Sequence, residues 1–211
     1  VSTGEPIGSQ HPRFPGFDVV QQAPAWDDAT RRVVLGRLET DETLRFFTES
    51  EFRVARAMLD QLVGQSHDRM VPIAHMVDAR LAAGSTDGWH YDGMPSDSEV
   101  WRQSLHGLAE DANESHGVGF AELMDEEQRA ILQRVQDLGD ASWRGLPAGR
   151  LWNLWLRYAC TAFYAHPSAW NEIGFAGPAY PRGYKNSHVG TREPFEVRDV
   201  MPQVDPARGG S

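Results

Sequence analysis

Eight large, mainly apolar side chains fall between Ala148 and Ala165: Leu151, Trp152, Leu154, Trp155, Leu156, Tyr158, Phe163 and Tyr164. On a helix of about 27 Å they surround most of the circumference. A helix apolar nearly all round is either central to a core or shared with a partner. The core reading is preferred, because a bundle needs a central element. Pro167 ends the run, since proline removes a backbone donor and fixes φ.

Beyond that stop the chain enters a shaped loop. Phe163 to Tyr184 reads FYAHPSAWNEIGFAGPAYPRGY, with Pro167, Pro178 and Pro181 beside Gly174, Gly177 and Gly183. Proline and glycine together specify definite turns. Trp170, Phe175, Tyr180 and Tyr184 are costly to leave in water, so the domain or a partner should cover them. The segment is poor in groups that do chemistry, and it reads first as a docking surface. Its candidates are His166, Glu172 and Arg182. His166 with Glu172 forms an acid–base alternative. The structural reading is preferred: His166 satisfies the terminal carbonyls of the preceding helix, and Glu172 bridges to Arg182 across the loop.

The rest of the chain reads as helices joined by polar turns. Asp27 or Asp28 caps a segment from Trp26 to Leu38, with Val33, Val34 and Leu38 near one face. Thr48 and Glu51 form a capping box for a helix carrying Phe52, Ala55, Leu59, Leu62 and Val63. Pro72 opens another through Ile73, Met76, Val77 and Leu81, and Gly84 stops it. Ser96 and Glu99 repeat the capping box ahead of Val100, Trp101, Leu105 and Leu108. Asp125 caps a helix through Ile131, Leu132, Val135 and Leu138, which the sequence GLPAG at Gly145 ends. In the loop between Ser85 and Pro95, Trp89 and Tyr91 should find apolar cover. One short strand is expected near Phe195 to Val200. The fold class is therefore all-α: an irregular helical bundle over residues 26–184, with an extended arm over 1–25 and an extended or partner-wrapping tail over 185–211.

Composition removes several functions. A net charge of −10 argues against binding a phosphate backbone. No apolar stretch reaches membrane-spanning length. The single cysteine, Cys160, excludes an internal disulfide and is expected to be a buried, inert thiol. His75 and Asp78 stand one helical turn apart but lack further ligands, so no metal site is expected. There is no Gly-x-Gly-x-x-Gly fingerprint, no Gly-x-Ser-x-Gly elbow and no haem attachment motif.

The pattern HP-x-x-WNEIGF-x-GPAYPRGY, with weaker likeness back to about Thr48, resembles the gluconate 2-dehydrogenase subunit 3 family. The resemblance implies a non-catalytic small subunit of an FAD-dependent sugar or polyol oxidoreductase of the glucose-methanol-choline type. The partner would be the large subunit that holds FAD; this chain would hold no cofactor and would stabilise that subunit or assist its maturation. Whether a cytochrome subunit completes the complex stays open. Trp170, Asn171, Glu172, Ile173, Phe175, Tyr180, Arg182 and Tyr184 are the expected contact or loop-shaping residues. The family's twin-arginine leader does not appear in the sequence. The expectation is then a cytoplasmic relative, or a periplasmic one whose leader was removed. The alternatives are an autonomous enzyme using His166 and Glu172, and a helical scaffold with a non-flavin partner.

Overall fold

Both capping boxes are formed in the computed structural model, which describes residues 13–39, 41–89, 91–186, 188 and 190–204. Glu51 Oε2 accepts from the Thr48 N–H at 2.8 Å while Thr48 Oγ1 accepts from the Glu51 N–H at 3.3 Å. Ser96 and Glu99 repeat the exchange at 3.0 and 3.4 Å. The expectations for residues 1–12 and 205–211, at the outer ends of the arms, lie outside the described residues.

The helices are α1 (Asp28–Gly36), α2 (Glu49–Val63), α3 (Ile73–Ala82), α4 (Asp97–His116), α5 (Asp125–Asp137), α6 (Ala148–Ala165) and α7 (Pro167–Ile173). Two 3-10 helices, Val19–Ala25 and Phe120–Glu122, complete the helical content among the described residues. Among the described residues the architecture is all-α apart from two paired strands of two residues each, β1 (Ser142–Trp143) and β2 (Leu146–Pro147). The chain divides into two compact units: Thr40–Phe163, and Val1–Glu39 with Tyr164–Ser211.

In the unit Thr40–Phe163, α2 packs against α3, α4, α5 and the turn at Phe120. Of the stripe expected from the sequence, Phe52, Ala55 and Leu59 are buried while Leu62 and Val63 are only partly so, and Met58 joins the buried face. Each large apolar side chain fully withdrawn from water contributes about 1.5–3 kcal/mol. On α6, Leu151, Leu154, Trp155, Tyr158, Ala159 and Ala162 are buried, while Asn153, Cys160 and Thr161 are exposed. Trp155 donates its indole N–H to Ser104 Oγ at 3.1 Å, and Tyr158 donates its hydroxyl to Asp97 at 2.8 Å.

The buried carboxylate of Asp78 organises the approach to α2. It accepts from the backbone N–H groups of Arg45, Phe46 and Phe47 at 2.8, 3.0 and 2.8 Å. Burying a carboxylate is tolerable only when its lone pairs are satisfied, and three donors accomplish that here. The Arg102 guanidinium, which donates to Glu51 at 2.9 Å, lies over the Phe46 ring and braces the same turn.

Several local expectations are corrected. Cys160 is exposed, because it falls on the outer face of α6 rather than its buried stripe. Met124, not Asp125, occupies the N-cap of α5; Asp125 is one residue further on and its carboxylate accepts from Ser66 Oγ at 2.7 Å. Trp89 remains half exposed, with the Arg157 guanidinium over its face and Tyr91 against its edge in place of apolar cover. Val33 is exposed and only Val34 of its neighbourhood is buried. Residues 195–200 form no strand: the Glu196 N–H donates to the Glu193 carbonyl at 3.0 Å in a turn, and residues 197–199 beyond it are irregular. The strands lie instead beside Gly145, where Arg144 and Gly145 adopt φ of 47° and 83° in a two-residue hairpin turn.

Candidate partner-binding surface

The Pro/Gly/aromatic loop is built, within the second unit, on the segment that precedes α1. Val19, Ala23, Trp26, Val34 and Trp170 form its buried core, with Phe17, Val20 and Leu35 packed against them. The segment expected to be an extended arm thus contains a 3-10 helix, capped by Asp18 accepting from the Val20 N–H at 3.0 Å.

His166 stands at the junction of α6 and α7. It caps the N-terminus of α7: Nδ1 accepts from the Ser168 N–H at 3.2 Å. That corrects the expectation that it serves the carbonyl end of α6. Arg37 does so instead, donating to the Ala165 carbonyl at 3.0 Å. Burial lowers the His166 pKa below the ordinary imidazole value, opposed by a backbone hydrogen bond with Arg37. In this structure the Nδ1 lone pair of His166 is thus engaged by a backbone N–H.

Beneath the surface lie Trp170 and Asn171. Trp170 donates its indole N–H to the Tyr164 carbonyl at 2.7 Å, and the Phe175 ring meets it edge-on at 5.2 Å. Asn171 Oδ1 accepts from the Val19 N–H at 2.7 Å. Two glycines in the loop beyond them have positive φ and no room for a side chain. A Cβ at Gly174 would lie 2.4 Å from the Phe14 ring, and one at Gly177 would lie 2.6 Å from Trp26. Only glycine satisfies both demands.

Above this frame the remaining expected residues are open to solvent. Ile173 is 50% exposed, Phe175 40%, Tyr180 65% and Tyr184 63%. Glu172 and Arg182 are half buried. Arg182 donates to Gln22 at 2.8 Å and to the Pro178 carbonyl at 3.4 Å, and its guanidinium lies over the Phe195 ring. A groove of about 250 Å³ is lined by Phe175 and Tyr184 together with Arg192, Glu196 and Val197. Tyr184 also meets Phe195, so residues of the tail pack against the loop.

Sequence reasoning missed Phe14, Val19 and Trp26 as the floor of this surface. For Phe14 and Val19 the signal was the presence of large apolar residues in a Pro/Gly-rich arm, where they need cover as much as those of the loop do; Trp26 opens the segment read as a helix. Among the described residues, no three His, Cys, Asp or Glu side chains come together to hold a metal, and no helix is long and apolar enough to cross a membrane.

Fold and surface together define an all-α protein that displays aromatic side chains on a loop held rigid from below. The chain belongs to the gluconate 2-dehydrogenase subunit 3 family, whose family model matches residues 49–177, more than half of its length. Membership of that family implies a small accessory subunit of a dehydrogenase complex. No match was found among curated proteins or among solved structures. The segment that forms the loop's floor, residues 13–39, lies outside the family match, as does the end of the loop from Pro178.

Proposed function

We propose that this chain is the non-catalytic small subunit of an FAD-dependent dehydrogenase acting on sugar or polyol hydroxyl groups, and that it binds the large flavin-bearing subunit. The observation that carries the reading is the family match, which runs through α7 and includes Trp170, Ile173 and Phe175. Binding only the folded state of the partner stabilises that state by mass action, so no chemistry of its own is needed for a maturation role. Exposed aromatic residues on a pre-organised loop are the residue type that anchors protein interfaces, at low entropic cost. FAD and hydride transfer belong to the partner in this reading.

The test is purification of the tagged chain from its native host, and then an absorption spectrum. A co-purifying larger protein with flavin bands, active on a sugar or polyol, is the expected result. A colourless single chain from cells that express it at natural levels would overturn the proposal.

A further inference from the structure

Three separate stretches of the second unit meet around a concave site of about 570 Å³. The 3-10 helix contributes Gln22, the loop Arg182, Lys185 and Asn186, and the tail Glu193 and Phe195. The volume lies in the range of small-ligand sites. Arg182 is held in place: it donates to Gln22 at 2.8 Å, and its guanidinium lies 3.8 Å from the centre of the Phe195 ring. Its Nε N–H is buried and has no acceptor among the described residues. Lys185 is exposed, and neither cation forms an ion pair among the described residues. The carboxylate among these residues, Glu193, is buried and already committed. Its Oε1 accepts from the backbone N–H groups of Lys185 and Asn186, the latter at 2.5 Å, and its Oε2 accepts from the Asn186 amide at 3.5 Å. Two cations against one carboxylate leave one net positive charge on the walls, in a chain whose own net charge is −10.

We propose that this site binds a small organic monocarboxylate, its carboxylate held by Arg182 and Lys185 and its carbon skeleton resting on Pro194 and Phe195. A planar guanidinium fork matches a carboxylate, and one already stacked on an aromatic ring loses little freedom on binding. A doubly charged phosphate fits less well, because Glu193 stands in the same wall and repels the second charge. An uncharged ligand leaves both cations without a counter-charge. The walls come from the 3-10 helix, the loop and the tail, so an occupied site ties the three together and stabilises the folded unit by mass action. The inference does not depend on the accessory-subunit reading, since every residue it uses is in this chain.

The probe is benzoate, titrated into the full chain at mildly alkaline pH and followed by ligand-observed NMR and by the melting temperature. Benzyl alcohol supplies the same skeleton without charge, and inorganic phosphate supplies a dianion without the skeleton. The expected result is saturable binding of benzoate that weakens with salt and is about tenfold tighter, or more, than binding of either comparison compound. Arg182→Lys keeps the charge but loses the fork, and should weaken benzoate binding about tenfold. Lys185→Gln removes an exposed cation and should weaken it about threefold. Circular dichroism checks that the variants fold like the wild type. Equal affinity of Lys185→Gln and the wild type would overturn the proposal, even if Arg182→Lys failed to fold. So would benzyl alcohol or phosphate binding as tightly as benzoate, or the absence of saturable benzoate binding.

Discussion

The backbone N–H of Val19 donates to the side-chain oxygen of Asn171 at 2.7 Å, across 152 positions of sequence and in a buried setting. One side chain of α7 thereby satisfies the first turn of the 3-10 helix beneath it. Asn171→Ala leaves that N–H buried without an acceptor and should cost about 1–3 kcal/mol, measured as a lowered urea midpoint.

Gly177 combines φ of 76° with a Trp26 ring 2.6 Å from where a Cβ would stand. Gly177→Ala should destabilise the protein by about 2 kcal/mol or more, from backbone strain and overpacking together. Adding Trp26→Phe removes the crowding ring but not the strained φ. The double mutant should therefore recover part of the loss relative to additivity, a coupling that a mutant cycle reads directly.

Trp170 and Tyr180 should separate stability from binding. Trp170 is in the core, so Trp170→Ala should cost about 3–5 kcal/mol. Tyr180 is exposed, and Tyr180→Ala should shift stability by only about 0.5 kcal/mol. Calorimetry on the isolated chain checks both numbers. In the accessory-subunit reading, capture of the partner should then fall for Tyr180→Ala although its melting temperature shifts by only a few degrees at most.

His166 links folding to pH. Its folded pKa is depressed by burial, so the unfolded chain takes up a proton at the ordinary imidazole value, about 6.5, before the folded chain does. Stability from this group is complete above that value and declines as pH falls below it toward the folded pKa. The lowered carboxylates, such as Glu51 with its Thr48 and Arg102 hydrogen bonds, lose their contribution only in a more acidic window. His166→Asn keeps a good N-cap and removes the titration. Denaturation between neutral pH and mildly acidic pH should show a shallower decline in the variant; an unchanged slope would reject the assignment.

Asp78→Ala strands three backbone donors and should cost about 3 kcal/mol or more. Asp78→Asn keeps one oxygen and should lose less. Unfolding curves for the two variants give the comparison.

The helices of the unit Thr40–Phe163 were legible because their signals are local. Thr48 with Glu51, and Ser96 with Glu99, declare a helix start within four residues, and periodicity extends the first of them from Phe52 to Leu59. Strands of two residues leave no alternation to read, so Ser142–Trp143 passed unseen. At His166 the ambiguity was physical: Pro167 both stops α6 and begins α7 as a first-turn proline, and the histidine between them can face either end. The Pro/Gly loop was legible as a shape, but its floor was not. Phe14, Val19 and Trp26 meet Gly174, Asn171 and Gly177 from more than a hundred residues away, and no window along a sequence spans that distance.

The same separation has a consequence for the order of synthesis. Residues 40–163 contain the partners that α2 to α5 need, and this stretch can fold while the ribosome is still adding chain. Val19 must wait until Asn171 has emerged, and loop closure over such a span is slow compared with helix formation. The aromatic surface consequently cannot take shape until the segment around Asn171 has been made. A partner that recognises it would select finished chains and pass over nascent ones.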